Sequence, residues 1–191
     1  NLADNGGPTL THALVAGSLA LNAGDNDKVL DGDGNPLVYD QRGEGFARIY
    51  GGTVDIGACE AQNLFVEIDV KPGSDPNSIN LASNGLIAVA IFTTNDFDAS
   101  QVDASTVVFA GAGAVHSAME DVDGDGDLDM VLQFRVQDTD LADIYAQLLD
   151  NDLDGDGILD SSRQALAVSL FGETVDGEEI VGTDEVDLFF S

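Results

Sequence analysis

Apolar and polar positions alternate most clearly in the later two thirds of the chain. Leu64, Val66, Ile68 and Val70 recur at every second position, which predicts a half-buried strand over Leu64–Val70. The turn Lys71-Pro72-Gly73-Ser74-Asp75-Pro76 ends it. Leu86–Phe92 is almost continuously apolar and predicts a buried central strand. Thr106–Phe109 and Leu128–Val136 predict further strands. The period then changes. Leu141, Ile144, Tyr145, Leu148 and Leu149 fall on one helical face, so a helix is expected over Asp138–Leu149. Ala165–Phe171, Glu179–Val181 and Val186–Phe190 return to strand patterning, with a turn at Asp176-Gly177. Strands at close intervals with turn signals between them point to an antiparallel sandwich.

The first 62 residues are rich in Gly, Asn and Asp. Their apolar pieces, Ala13–Val15, Leu19–Leu21, Ala47–Tyr50 and Val54–Ala58, are too short for helices and suit short strands between turns. Ala61-Gln62-Asn63 has the composition of a linker. Two domains are therefore expected, 1–62 and 63–191.

Two acidic stretches interrupt the later pattern. Glu120–Asp129 places Asp121, Asp123, Asp125, Asp127 and Asp129 at alternating positions, with Gly124 and Gly126 letting the backbone curl so that carboxylates converge. Asp152–Asp160 places Asp152, Asp154, Asp156 and Asp160 at positions one, three, five and nine, with Gly157 at six and Ile158 at seven. Carboxylates held this close repel unless a cation lies between them. Hard oxygen donors on a flexible loop favour Ca²⁺. Neither stretch is an EF-hand, because position twelve is Leu132 in the first and Arg163 in the second, where a bidentate Glu is required. Each is expected to be closed by Asp129 or Asp160, or by ligands from elsewhere. Asp31-Gly32-Asp33-Gly34-Asn35 is a shorter polar turn of the same flavour. Asp69, Asn77 and Asn80 either reach the first acidic loop or cap a neighbouring turn.

Charge sharpens this picture. There are 36 acidic residues against 6 basic ones, for a formal charge of −30. No basic patch can be assembled from so few cations, which excludes nucleic acid as a partner and argues against anionic lipid. Self-repulsion of this size is relieved by divalent ions or external salt. A hydrophobic content of 43% provides for a core. No run reaches the length of a membrane helix. Cys59 is alone and reads as a small core residue. Arg42 is expected to pair with Asp40 or Asp55, a structural role. His12 and His116 have no nucleophile or metal-spaced partner and read as turn or surface residues. The chain starts at Asn1 inside a motif, with neither initiator Met nor signal peptide, and reads as a mature product or a fragment.

The motifs Leu2-Ala3-Asp4-Asn5-Gly6-Gly7-Pro8-Thr9, Thr11-His12-Ala13-Leu14, Asp40-Gln41-Arg42-Gly43 and Val54-Asp55-Ile56-Gly57-Ala58-Cys59-Glu60 occur in one order. In this they resemble the last coils of secreted right-handed parallel β-helix proteins. Ile68-Asp69-Val70-Lys71-Pro72-Gly73-Ser74-Asp75-Pro76-Asn77-Ser78-Ile79-Asn80, Val89-Ala90-Ile91-Phe92 and the Glu120–Asp129 stretch resemble a secreted bacterial module found at the C-terminal end of large surface proteins. The resemblance implies terminal coils of a parallel β-helix followed by a calcium-binding antiparallel β-sandwich, with the helix and second acidic loop inserted. It further implies an extracellular or cell-surface protein without catalysis of its own.

The expected function is structural: adhesion or surface-fibre architecture, with neighbouring copies or other surface proteins as partners. The alternative is a carbohydrate-binding accessory module of a polysaccharide-degrading enzyme, binding glycans. That role favours exposed aromatics, and the chain has no Trp and only Tyr39, Tyr50 and Tyr145. A hydrolase with paired carboxylates is a third reading. No nucleophile elbow, metal-His cluster or phosphate loop supports it.

Overall fold

The computed structural model describes residues 2–15, 18–149 and 166–190, and taken together these are mainly β. The chain divides into two units, 1–65 and 66–191.

In the second unit the aliphatic runs become the strands of two sheets. β4 (Ile68–Val70), β6 (Leu86–Ile91), β9 (His116–Glu120) and β10 (Asp129–Arg135) form an antiparallel sheet in the order β4-β6-β10-β9. β7 (Val102–Phe109), β8 (Ala112–Gly113), β11 (Leu166–Thr174) and β12 (Glu179–Phe189) form the other in the order β12-β11-β7-β8. A short strand β5 (Ser78–Asn80) adds to β12 in parallel. Ile87, Val89 and Ile91 of β6, Leu132 and Phe134 of β10, and Val107, Phe109, Leu170 and Ile180 of the other sheet are all buried. The Phe109 and Phe134 rings lie 5.4 Å apart between centroids. These faces give the unit a sandwich-like core, which is the coarse architecture the periodicity predicts.

Three departures have local causes. Glu179–Val181 and Val186–Phe190 fall on one strand, β12, whose ladder with β11 runs unbroken from Glu179 to Val186; at Gly182 within it a Cβ would collide with Ile68 of the facing sheet. Within the break in the pattern, Gly182 is thus required by packing. The register of β7 against β11 shifts between Phe171 and Glu173. There the Glu173 N–H is taken by the Thr106 hydroxyl at 2.8 Å. The expected helix begins later: Val136–Asp138 is a 3₁₀ turn closed by the Thr139 hydroxyl on Val136 O, and α1 is Leu141–Leu149. Leu141 is fully buried and Tyr145 packs edge-on against Phe190.

The first unit is built otherwise. β1 (Leu2–Ala3) and β2 (Thr11–His12) are antiparallel, two isolated bridges join Leu30 to Pro36 and Tyr39 to Ala47, and Leu64–Phe65 is β3. The expected strands at Ala13–Val15, Leu19–Leu21, Ala47–Tyr50 and Val54–Ala58 are turns and irregular chain. The pairings within residues 2–65 are antiparallel, so the parallel stacking of β-helix coils is not observed there.

Turn and segment bonds such as Gly24 N to Val54 O and Ile56 N to Ala20 O satisfy part of this backbone, and side-chain carboxylates satisfy much of the rest. Asp55 accepts from Asn22 N at 2.7 Å and Ala61 N at 2.7 Å. Glu60 accepts from Tyr50 N at 3.1 Å, Asp55 N at 2.9 Å and the Arg48 guanidinium at 2.8 Å. Asp40 accepts from Arg42 through a fork of side-chain N–H groups, and from Arg42 N and Glu60 N. Arg42 also donates to Glu60 O and lies 4.0 Å over the Phe46 ring. Arg42 therefore pairs with Asp40, in the structural role expected of it. Gln62 donates to Ala47 O and accepts from Ala47 N, so the linker-like residues belong to this unit. Cys59 is buried.

Candidate metal centre

Glu120 at the end of β9 faces Asp129 at the start of β10, which makes residues 121–128 a hairpin loop. Gly124 and Gly126 hold positive φ angles of 82° and 101°, which suit residues without a Cβ. Each turn of the loop closes on an aspartate. Asp121 accepts from Gly124 N at 2.8 Å, Asp123 from Asp125 N at 3.1 Å, and Asp125 from Asp127 N at 2.8 Å.

Asp129 differs from the others. It is 1% exposed. One carboxylate oxygen accepts from Val122 N at 2.9 Å across the loop mouth, and the other from Thr93 N at 2.9 Å. The Thr93 hydroxyl donates to Leu128 O at 2.7 Å and accepts from Ala99 N at 3.0 Å. The loop is therefore fastened at its root to the segment that follows β6. Sequence reasoning missed Thr93; the only signal is that polar Thr93-Thr94-Asn95 directly follows an apolar strand.

Asp121, Asp123 and Asp129 bring one carboxylate oxygen each within 4.8 Å of one another. Calcium–oxygen distances of about 2.3–2.6 Å put opposed ligands up to about 5 Å apart, so this spread accommodates Ca²⁺; Mg²⁺ at about 2.1 Å demands a tighter group. Each Asp129 oxygen uses one acceptor position on an amide and keeps another for an ion. Three carboxylates are part of a shell of six to eight oxygens. Asp125 and Asp127 fall outside this group and line an adjoining cleft of about 500 Å³ with Glu67, Phe92, Thr93 and Asn95. Asp152, Asp154, Asp156, Ile158 and Asp160 lie outside the described residues.

No ion pair among the described residues reaches the loop: Lys28–Asp25, Arg42–Asp40 and Arg48–Glu60 all lie in the first unit. The Asp31 turn is closed by its own amides. Bonds from Asn35 foremost, then Asp33, hold the Asp31 carboxyl below its ordinary range. Asn80 caps Ala82 N at 3.0 Å, and Asn77 donates to Asp184 at 3.0 Å rather than to an acidic-loop residue. His12 and His116 are exposed on strands. A cavity of about 360 Å³ in the first unit is lined by Arg42, Glu60 and Gln62, whose polar groups are already paired. No described helix is long and apolar enough to cross a membrane. Comparison with protein-family models, with curated proteins and with solved structures found no match to this chain.

Proposed function

We propose that this chain is a calcium-stabilised, non-catalytic structural module of the extracellular space or cell surface. The observation that carries this reading is the convergence of Asp121, Asp123 and Asp129 within 4.8 Å, on a loop with no cationic side chain paired to it among the described residues. Extracellular calcium is millimolar, where loops of modest affinity fill. The ion's role is mechanical: it replaces repulsion among the carboxylates with attraction and locks the β9–β10 hairpin.

Adhesion or fibre architecture follows from the first unit. Leu2, Leu10, Val15, Leu19, Val38 and Ile56 are exposed there. Neighbouring copies or other surface proteins cover these side chains, as coils cover the end of a β-helix. Titration calorimetry with calcium tests the site. The wild-type chain binds, and Asp123→Ala loses one bound ion. Absence of binding by the wild-type chain rejects the reading. Light scattering in millimolar calcium tests assembly, for which a strictly monomeric particle is the contrary result.

A further inference from the structure

The sheet β4-β6-β10-β9 ends differently at its two edges. Beside β4, two backbone N–H groups are taken by β12 of the other sheet: Val70 N donates to Asp184 at 2.8 Å, and Val66 N to Val181 O at 3.0 Å. At the far edge β9 pairs with β10 on one side and, among the described residues, with no strand on the other. That pairing runs without a register shift from His116 to Glu120. His116, Ser117, Ala118 and Glu120 are exposed and Met119 is half-buried. An open edge presents a row of unpaired N–H and C=O groups, which proteins commonly blunt with Lys, Pro or a bulge. His-Ser-Ala-Met-Glu contains neither Lys nor Pro.

The strand is also complementary to itself. When two copies of β9 run antiparallel with Ala118 opposite Ala118, each His116 lies opposite the other copy's Glu120. Alternation puts His116, Ala118 and Glu120 on one face, so the small Ala118 sits between two His–Glu pairs. Opposed residues have Cβ atoms about 4.5–5.5 Å apart, within reach of a His ring N–H donating to a carboxylate. Within its own chain Glu120 opposes Asp129, a like charge, and neither His116 nor Glu120 belongs to an ion pair among the described residues. The formal charge of −30 on each chain opposes self-association. This register keeps the acidic loops apart, because each Asp121 then lies opposite Val115 of the other copy. The two Asp121 residues are separated by about 20 Å at about 3.4 Å per strand residue, more than twice the Debye length of about 8 Å at physiological ionic strength.

We infer that β9 is the edge at which two copies of this chain join, adding strand to strand across a two-fold axis at Ala118. Backbone hydrogen bonds supply the attraction, and the His116–Glu120 pairs set the register. The contact is isologous, so it closes at two copies. It does not depend on the exposed apolar side chains of residues 1–65, which the function proposed above invokes for assembly.

Sedimentation equilibrium of the full chain, in millimolar calcium at physiological ionic strength, tests this by charge reversal. His116→Glu sets Glu against Glu twice in each dimer, and Glu120→Lys sets Lys against His. Each change weakens the wild-type dimer about tenfold or more. The double variant His116→Glu/Glu120→Lys again pairs opposite charges and recovers it. Both positions are exposed, so the variants keep the wild-type melting temperature. Amide exchange over residues 116–120 slows with rising protein concentration in the wild type and in the double variant, and not in the single ones. A wild-type chain that stays monomeric overturns the inference. So does association that the single changes leave untouched or that the double change fails to recover. Association untouched by the single changes leaves assembly through residues 1–65 standing.

Discussion

The two units use the same excess of carboxylates in opposite ways. Among the described residues of 1–65 Asp40, Asp55 and Glu60 are buried, while Val29, Val54 and Cys59 are the buried hydrophobic residues. In residues 66–191 the interior is aliphatic and aromatic, and the aspartates at 121, 123, 125 and 127 are exposed. The difference follows from the cations. Arg42 and Arg48 lie beside Asp40 and Glu60 and compensate them, with backbone N–H groups completing each shell, while the Asp55 carboxylate is held by the Asn22 and Ala61 amides. The acidic loop has no such partner among the described residues. Asp40 and Glu60 sit in an interior with an arginine beside each, Asp55 and Asp129 are buried on backbone N–H groups alone, and the unpaired aspartates at 121, 123, 125 and 127 stay at the surface.

The contrast breaks most severely at Arg42. Arg42→Ala strands Asp40, which is 7% exposed, and costs about 3–5 kcal/mol. Hydrogen exchange is expected to show residues 1–65 losing protection while β6 and β10 keep theirs. Equal loss in both units contradicts a polar interior confined to the first. Arg42→Lys keeps the charge but not the fork on Asp40, and is expected to recover only part of the loss.

A smaller effect is expected at Gly182. The Gly182→Ala methyl meets Ile68, and overpacking of this kind costs about 1–3 kcal/mol. Ile68→Ala in the same chain removes the Cγ2 that the new methyl meets, so the double variant loses less than the two single changes added together. Thermal melting checks both, and a neutral Gly182→Ala refutes the tight facing of the two sheets there.

The smallest expected effect is on pH dependence. Burial first, and Asp55's charge in addition, raise the Glu60 pKa above its ordinary 4.5, despite bonds from Asp55 N, Tyr50 N and Arg48. Burial also opposes ionisation of Asp40, but Arg42 and the Glu60 amide outweigh it, and the pKa falls below 3.8. A raised carboxyl favours the folded state below its unfolded pKa, and that gain is lost as pH rises through the folded pKa. A lowered one favours it above the unfolded value and is lost as pH falls. Stability of the first unit therefore rises as pH drops through the Glu60 pKa toward 4.5, then declines below 3.8 as Asp40 protonates. Glu60→Gln removes the rise and keeps the decline. Exchange of the Asp55 and Glu60 amides against pH reads both.

Where a run was long and periodic, its element was legible in the sequence. Leu86–Phe92 became β6, Leu128–Val136 became β10, and the apolar stripe after Asp138 became α1, because burying one face decides such segments. The first unit was not legible in this way. Its order comes from bonds such as Asn22 N to Asp55 and Glu60 N to Asp40, between residues 33 and 20 apart, which periodicity does not encode. A buried Glu60 is indistinguishable by hydropathy from an exposed one. The acidic loop was visible as spacing. That Asp129 would be buried at its root, bound to Thr93 N 36 residues away, was not. The Asn77–Asp184 contact spans 107 residues and leaves no local trace.

The most direct test follows amide exchange in the full chain with millimolar calcium and with excess chelator. The Val122 and Thr93 amides, both bound to Asp129, report the acidic loop, and the Asp55 and Glu60 amides report the first unit. An ion bound only to the folded loop stabilises it by about 2.7 kcal/mol at a hundredfold excess over its Kd. The predicted result is strong calcium-dependent protection at Val122 and Thr93 with no change at Asp55 and Glu60. Protection at Val122 and Thr93 that is the same with and without calcium contradicts the account.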